Sequence, residues 1–518
     1  MKKIIFLAIA ALLVLGIVLP GCGEGEGEGE NVIKIAVAGP LTDIQGADHL
    51  AGAQMAVSEI NAAGGVDIGG TDYTIQLVNV ETHESTTGVS GVEGTTNLLA
   101  VIDDVEFVIG GFRTEAVTVY REVAMNASKL FLNCGAATAA LQASVITNYP
   151  KYKYWFKMTP YNEVFLVTSM LKMSVTYGGV LNATLAGLEA ANSTYVKSDF
   201  KMSLAGYKPR VHIVAEDATW CAGIIAIANS TLPLYGFNVT GISTVGVQAD
   251  QTTLEGVLQS AYDAEKPHIF FTAFSGASGA SYSKAKASLD LPGMTLGINV
   301  PGQQKAHWSN TGGACEGEIM LDTWAENVSN TAGTVAWFNA FVSGTGRYPG
   351  YTAVTYDAVY LLKDACEALD TTNSTTLIPW LETHQSSTGV GTAKWATYPL
   401  AAVNLGGGVL ALSQAQKEAL YGTSWSYCVT KWTTLGGHIQ HDTVYGPGYQ
   451  TGLGSQWQEI GGTGHKVGIW PVYLGPAKDA ALTDQYGNWN FQYPGTVPYI
   501  LTIGGMLNIP WDPYNPPI

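Results

Sequence analysis

The sequence predicts an α/β protein of two lobes, each built on a parallel β-sheet with helices on both faces. Two series of buried strands alternating with helices support this prediction; the first starts at Val32 and the second at Val211. Because each connecting helix returns the chain to the same edge of the sheet, strand–helix–strand repeats place successive strands parallel. Residues 155–178 join the two series.

The composition indicates a large globular protein and excludes one class of partner. The chain has 518 residues, of which 47% are hydrophobic and 13% charged, so it can bury a sizeable core. Its 25 Lys and Arg against 42 Asp and Glu give a formal charge of −17, which argues against nucleic-acid binding. The 61 glycines and 26 tyrosines favour many turns over a helical bundle.

The first lobe is predicted from residues 32–160 together with 318–388. Residues 32–38 are typical of a buried strand, and the turn that follows them carries helix-capping residues. Apolar residues then recur at 3-4-3 spacing along one helix face: Leu50, Ala53, Val57 and Ile60. Gly64 and Gly65 end this helix. Further strands are predicted at residues 73–80, 106–109 and 130–132.

The second lobe is predicted from residues 161–317 together with 389–518. Its strands are expected at residues 211–215, 239–245 and 268–272, with helices at 221–234 and 252–264. A strand at residues 318–321 and helices at 334–344 and 352–369 are interpreted as a return to the first lobe. From about residue 389 the chain is rich in Gly, Trp, Tyr and Pro, which predicts an extended region of β-hairpins and loops.

Residues 1–21 are predicted to be a signal peptide. Two lysines precede an apolar run at residues 4–18, which is short for a membrane-spanning helix. Residues 19–22 (LPGC) resemble a lipobox, in which cleavage precedes the cysteine and Cys22 is lipidated; the alternative is an ordinary signal peptide with a chance cysteine. Alternating Gly and Glu then predict a solvated tether over residues 22–31. We therefore expect a lipid-anchored protein on the extracytoplasmic face of the membrane, in a periplasm or on a bacterial or archaeal cell surface.

The remaining cysteines and histidines give no metal signature. Five cysteines follow Cys22 without metal-ligand spacing, and their pairing stays open. The pair His438 and His441 lacks further ligands, so a polar hairpin is the better interpretation. Neither a metal nor a cofactor is expected.

Several segments match one known family in the same order along the chain. The most specific are residues 38–42 (AGPLT) and 52–66, which resemble that family's opening turn and first helix. The other matches resemble its ligand loops, first hinge and late helix: residues 108–114, 133–138, 155–160, 216–220 and 356–360. The family is the type 1 periplasmic binding proteins, specifically the branched-chain amino-acid (Leu/Ile/Val) group of ABC-transporter substrate-binding lipoproteins. The resemblance covers about residues 32–390.

This resemblance implies two Rossmann-like lobes joined by three hinge crossovers. A small ligand would bind in the cleft, the lobes would close, and the closed form would dock on an ABC permease in the membrane. The resemblance implies a monomeric binding protein without enzymatic activity. Two alternatives stay open: a receptor of the same fold that signals to a membrane partner, and an enzyme or structural cell-surface protein built on the C-terminal region.

The resemblance also implies a set of ligand-binding residues. Thr114, Ala136, Ala137 and Thr138 would hold a carboxylate or amide with hydroxyl and backbone N–H groups. Arg113 stands where the family often has a small polar residue; it would pair with an anionic ligand or with a surface acid. The remaining candidates are the aromatic walls and the rim of the second lobe: Tyr161, Trp220 and Phe274.

The sequence departs from the family's amino-acid binders at the ammonium site. Those proteins place acids against the ligand ammonium, where this chain has Asn162, with Glu163 one position away, and Ala277. Because a buried ammonium without a partner is costly, the ligand stays open among an amino acid, a neutral amide, and a small or aromatic carboxylate.

Overall fold

In the computed structural model, two β-sheets flanked by helices form the two predicted lobes. The structure describes residues 31–159, 163–191, 198–326, 334–383, 441, 453–470, 490–492 and 500–502. Its strands are β1 (Val32–Gly39), β2 (Val66–Ile68), β3 (Thr71–Glu81), β4 (Phe107–Gly110), β5 (Leu130–Asn133), β6 (Trp155–Lys157), β7 (Arg210–Glu216), β8 (Asn238–Val245), β9 (Ile269–Phe274), β10 (Met294–Asn299), β11 (Ile319–Asp322), β12 (Leu453–Ile460), β13 (Thr463–Trp470), β14 (Asn490–Gln492) and β15 (Ile500–Thr502). Its α-helices are α1 (Ile44–Ala62), α2 (Val92–Leu99), α3 (Thr114–Asn126), α4 (Ala139–Thr147), α5 (Tyr149–Tyr152), α6 (Glu163–Ala190), α7 (Thr219–Thr231), α8 (Gln251–Glu265), α9 (Ser278–Ser288), α10 (Ala306–Thr311), α11 (Thr334–Thr345), α12 (Thr355–Leu369) and α13 (Ser374–Thr383).

The first lobe contains a six-stranded sheet in the order β2-β3-β1-β4-β5-β6. Its strands pair in parallel except for the β2–β3 hairpin. Strand β1 lies in the middle and is almost entirely buried, as its continuous apolar run predicts. Helices α1 and α12 pack together on this sheet, so the late helices return to the first lobe as expected.

The second lobe contains a seven-stranded sheet in the order β13-β12-β11-β10-β9-β7-β8. Strands β7 to β11 pair in parallel, and β12 and β13 extend the sheet in antiparallel fashion. The first half of α6 packs its apolar side chains, among them Leu166 and Met170, into this lobe's core.

Strand β11 lies in the second lobe, whereas the sequence predicts residues 318–388 in the first. Strand β11 was expected to begin the return to the first lobe, but it pairs with β10 on one side and with β12 on the other. Two neighbouring strands satisfy its backbone groups on both edges, and all four of its residues are buried. The return to the first lobe therefore starts with α11.

Three crossings between the lobes connect the elements that the structure describes. The crossings fall between β6 and α6, between β11 and α11, and between α13 and β12. Two lobes with three crossings are the fold that the sequence predicted.

The C-terminal hairpin β12–β13 is fastened to the second lobe by a buried ion pair. Lys466 Nζ lies 2.7 Å from Asp322 Oδ2, and both side chains are 0% exposed. Lys466 also donates to the carbonyl of Gln303 at 2.8 Å, and Trp457 Nε1 donates to the carbonyl of Gly302 at 2.9 Å. The predicted β-hairpin region thus supplies two strands of the second sheet.

His441 is packed against the first lobe. Its ring stacks on Phe156 with centroids 3.9 Å apart, its Nδ1 lies 2.9 Å from the Trp155 carbonyl, and its Nε2 lies 2.9 Å from Glu382. His438, the other histidine of the motif, lies outside the described residues. The structure therefore gives His441 a packing role at the edge strand β6.

The residues that the structure describes contain no group of three or more His, Cys, Asp or Glu side chains placed to hold a metal ion. Their four cysteines, at positions 134, 221, 315 and 366, are buried and free. Among the same residues, no helix is both long and apolar enough to cross a bilayer.

Replacing Lys466 with Ala should strongly destabilise the protein. Asp322 would keep a buried carboxylate without its cation, a loss of about 3–5 kcal/mol. Urea unfolding followed by tryptophan fluorescence measures the change. The matched control is Lys151→Ala, which removes a lysine that is 38% exposed and paired with Glu122, and should change stability far less. Equal effects of the two substitutions would contradict this assignment.

Candidate functional site

A cavity lies between the lobes, where the carboxyl ends of strands from both sheets face each other. This is the edge at which open α/β sheets bind ligands, because the loops and helix N-termini there present free N–H groups. Eleven residues of the described chain line the cavity: Phe112, Arg113, Thr114, Gly135, Ala137, Leu166, Trp220, Ser275, Ile298, Val300 and Tyr351.

The cavity is small because the two lobes lie close together, with hydrogen bonds between them at Glu115–Thr219 and Asp48–Gln304. Its volume is about 30 Å³, enough for one or two water molecules. An organic ligand needs several times that space. The lobes must therefore separate before such a molecule can enter.

The first-lobe wall follows β4 and is set by two glycines in the left-handed region. Gly110 has φ 111° and Gly111 has φ 87°. A Cβ at Gly110 would lie 2.1 Å from the Ala38 carbonyl oxygen, so only glycine fits there. This turn places Arg113 and Thr114 at the N-terminus of α3, facing the second lobe.

Arg113 is a buried cation without a counter-ion in the part of the chain that the structure describes. Its side chain is 5% exposed, and its Nε and Nη2 atoms are buried without a hydrogen-bond acceptor. No described carboxylate lies within 4.0 Å of its guanidinium nitrogens. Its guanidinium carbon lies 5.9 Å from the Phe112 ring centroid. Burying such a charge is unfavourable unless an anion reaches it.

Thr114 adds a second group at the same helix N-terminus. Its Oγ1 is also buried without a hydrogen-bond partner among the described residues. The Thr114 hydroxyl and the Arg113 guanidinium, placed at the positive end of the α3 helix dipole, form a pole that favours an anion, although Glu115 in the same first turn also faces this helix start.

Glu84 fixes the backbone of this pole by hydrogen bonding. Its fully buried carboxylate accepts hydrogen bonds from the backbone N–H of Arg113 at 3.0 Å, from Thr82 Oγ1 at 3.0 Å and from the Tyr120 hydroxyl at 3.1 Å. Burial raises the pKa of Glu84 to about 7, although these hydrogen bonds oppose the shift. Glu84 therefore fixes the turn but is only partly charged near neutral pH.

The acids beside the cleft are engaged with their own loops. Glu216, at the end of β7, accepts hydrogen bonds from Ser275 Oγ, Gly276 N and Ser278 Oγ, each at 2.6 Å. Glu163, at the start of α6, accepts a hydrogen bond from Ala139 N at 2.7 Å. Both carboxylates shape the loops around the cavity without being among its lining residues.

The other walls of the cavity are apolar. Trp220 enters from the first turn of α7, and Tyr351 enters from the segment before α12, with its ring centroid 6.4 Å from that of Phe112. Burial raises the pKa of Tyr351, so its hydroxyl stays neutral at physiological pH. Three aliphatic side chains complete the enclosure: Leu166, Ile298 and Val300.

The structure brings four of the candidate residues to the cavity and places three elsewhere. Arg113, Thr114, Ala137 and Trp220 line it. The remaining candidate, Tyr161, lies outside the described residues.

The three candidates outside the lining, Ala136, Thr138 and Phe274, make contacts within their own lobes or loops instead. The N–H of Ala136 donates to Asn133 Oδ1 at 3.0 Å. Thr138 caps α4, and its hydroxyl donates to Glu163 Oε1 at 3.3 Å. Phe274 is fully buried against Tyr282 beneath α9.

Some lining residues were missed from the sequence. Phe112 follows the end of a predicted strand, and an apolar residue at such a position is a usable signal. Ile298 and Val300 belong to β10 and its end, a strand that was not predicted. Leu166 and Tyr351 come from remote helical segments, and no local pattern marks them.

Hydrogen bonds across the cleft accompany its closure. Glu115 Oε1 on α3 accepts a hydrogen bond from the backbone N–H of Thr219, the first residue of α7, at 2.8 Å. Elsewhere Gln304 Nε2 donates to the buried Asp48 at 2.8 Å. These contacts join residues of the first lobe to residues of the second.

Two parallel-stranded lobes that enclose an apolar cavity with one anion-favouring pole define a bilobal ligand-binding protein. A family profile described as "Periplasmic binding protein" matches residues 32–399. The chain belongs to this periplasmic binding protein family. Its members are extracytoplasmic substrate-binding proteins of transport systems, and they are not enzymes. No curated protein matches the sequence.

Solved structures of ABC-transporter solute-binding proteins share the fold. One, from Rhodopseudomonas palustris HaA2 in complex with p-hydroxybenzoic acid, has a TM-score of 0.59 at 13% identity, over 86% of this chain and 98% of that one. Another, from R. palustris BisB5 in complex with 3,4-dihydroxybenzoic acid, has a TM-score of 0.57 at 14% identity, over 85% of this chain and 96% of that one. The leucine-binding protein LivK of Thermotoga maritima has a TM-score of 0.56 at 14% identity, over 84% of this chain and 97% of that one. These identities establish the fold alone.

Replacing Glu115 with Ala should shift the ligand-free protein towards an open form. The substitution removes a charge-assisted hydrogen bond to the N-terminus of α7 that exists only while the lobes touch. Small-angle X-ray scattering should show a larger radius of gyration than in the wild type. The control is Glu122→Ala on the same helix, whose carboxylate contacts Lys151 and Tyr152 within the first lobe. An unchanged radius in Glu115→Ala would contradict this role.

The same contact should respond to pH. Burial alone raises the pKa of Glu115, but the hydrogen bonds from Thr219 and the charge of Arg113 outweigh burial, so the pKa is lowered. A lowered pKa means that the contact stabilises closure at neutral pH and is lost as the pH falls through the pKa of the closed form. The scattering difference between wild type and Glu115→Ala should therefore shrink on acidification.

Proposed function

We propose that this protein is a lipid-anchored solute receptor of an ABC importer, which captures a small ligand between its lobes and delivers it to a membrane permease. The family supports the transport role and the binding of small solutes. The observation that carries the proposal is the closed cavity at the carboxyl ends of both sheets, with Arg113 buried in its wall.

Capture would work through a shift between open and closed forms. A ligand that contacts both walls binds the closed form better and so increases its population. Arg113 and Thr114 belong to the first lobe, and Trp220 belongs to the second. A molecule that touches these residues together would hold the lobes closed, and the permease would recognise that closed form.

The chemistry of the cavity limits the ligand to a small molecule with an apolar body. Related structures carry p-hydroxybenzoic acid, 3,4-dihydroxybenzoic acid or isoleucine, which bracket the ligands expected from the sequence. An amino acid, an amide, and a small or aromatic carboxylate are the classes to test first.

The anchor rests on the N-terminal sequence. Residues 1–30 lie outside the described part of the chain, so the lipobox at residues 19–22 is the support for lipidation of Cys22. An acidic Gly/Glu tether after it would keep the lobes away from the membrane while leaving them close to the permease.

A small ligand should raise the melting temperature of the purified protein. Binding to the folded form alone stabilises it by about 2.7 kcal/mol when the free ligand is at 100 times its Kd. A thermal-shift panel of amino acids, amides, and aliphatic and aromatic acids measures this effect. If no member of a broad panel shifts the transition, solute capture is contradicted.

Replacing Cys22 with Ser should release the protein from the membrane. The wild type, expressed with its full N-terminus, should partition into the detergent phase of a Triton X-114 extract because its N-terminal residue carries lipid. The variant should move to the aqueous phase. Cys428→Ser serves as the control and should partition like the wild type. Equal partitioning of Cys22→Ser and wild type would remove the lipid anchor from the proposal.

A further inference from the structure

We infer that the ligand is an organic monoanion with an apolar body and no ammonium group, and that the Arg113 guanidinium is its counter-ion. This inference rests on the proposed function and specifies the chemistry of the same cavity. It selects one of the classes that the sequence left open.

The described cavity wall carries a single positive charge. Arg113 is the single charged residue among the eleven that line it. Two of its nitrogens are buried without an acceptor in the described chain, and Thr114 Oγ1 beside them is also unpartnered. Together with the N-terminus of α3, these groups offer donors to one negative group. A carboxylate matches the planar fork of a guanidinium and relieves its unpaired charge.

The described wall offers no carboxylate to an ammonium group. Neither Asp nor Glu is among the lining residues that the structure describes. The nearby carboxylates of Glu84, Glu163 and Glu216 already accept hydrogen bonds from their own loops. An ammonium brought into this cavity would lose its water without gaining a counter-ion.

Glu115 is the acid that could overturn this argument. Its Oε1 accepts the hydrogen bond from Thr219, while its Oε2 is buried without a partner among the described residues. Glu115 is not a lining residue, and its carboxylate caps α7. The variant Glu115→Gln is therefore one of the test variants.

The rest of the cavity wall suits an apolar ligand body. Phe112, Trp220 and Tyr351 provide aromatic surfaces, and the remaining lining side chains are mostly aliphatic. Such walls favour an aromatic or branched aliphatic group by burial of apolar area. A neutral amide would fill the same space but would leave the charge of Arg113 unpaired, so the acid is expected to bind more tightly than its amide.

Matched ligands test the inference by isothermal titration calorimetry. The first set is 3-phenylpropanoate, phenylalanine and 3-phenylpropanamide, which share a skeleton and differ in the ammonium or the carboxylate. The second pair is 4-methylpentanoate and leucine. We expect at least one of the two acids to bind, at least about tenfold more tightly than its amino acid or amide, since a charged hydrogen-bonded contact typically contributes that much or more.

Arg113→Gln tests the counter-ion. Affinity for the acid should fall about 10- to 100-fold, and Arg113→Lys should recover part of it, since the lysine keeps the charge but not the fork. The ligand-free variant should melt at the wild-type temperature or above, because it loses a buried charge that has no ion pair. An arginine with a purely structural role would instead lower the melting temperature without changing the ratio of affinities for acid and amino acid.

The outcomes separate this inference from the proposed function. Tighter binding of phenylalanine or leucine than of the matched acids, lost in Glu115→Gln, would overturn the inference and leave solute capture intact. Equal affinity of acid and amide would also overturn it. Failure of every member of these sets and of the wider panel would refute the inference together with solute capture.

Discussion

In the closed form, the Arg113 guanidinium is buried and makes no ion pair with a carboxylate of the described residues, and the surrounding structure keeps it there. Two left-handed glycines, Gly110 and Gly111, direct the chain towards the cleft after β4. Glu84 then holds the backbone N–H of Arg113 from below. Apolar walls from both lobes exclude water from the guanidinium. Closure without an anion therefore carries an electrostatic cost, because the charge loses its hydration while Glu115, the nearby acid with which it interacts electrostatically, does not come within ion-pair distance.

Hydrogen bonds across the cleft favour the closed form and so oppose the effect of Arg113 desolvation. Glu115 caps α7 of the other lobe, and Asp48 accepts a hydrogen bond from Gln304. These bonds favour the closed form, whereas desolvation of Arg113 favours the open form in which water can reach it. An anionic ligand would remove the unfavourable contribution and leave the favourable contacts in place. A small difference between two opposing contributions is what allows a weakly populated form to respond to ligand.

The sequence predicted the features that depend on local patterns. The apolar run of β1 and the periodicity of α1 predicted a parallel sheet, and residues directly after strand ends, such as Thr114 and Trp220, did reach the cavity. Positions that depend on remote partners were not predictable. Tyr351 reaches the cavity from a helical segment more than 200 residues away from Arg113. The placement of β11 also failed, since a short apolar strand pairs equally well with either sheet until its neighbours are known.

The C-terminal region links the two lobes at their crossings. Asp322 ends β11, immediately before the second crossing, and its buried partner Lys466 lies in the hairpin that follows the third crossing. The two crossings are thus joined on the second-lobe side by an ion pair that water does not reach. On the first-lobe side, Tyr348 stacks on Trp457 of the hairpin, with centroids 6.3 Å apart. Because this hairpin contacts both lobes, any change in the angle between the lobes has to accommodate its contacts, so residues far from the ligand help to set the balance between open and closed forms.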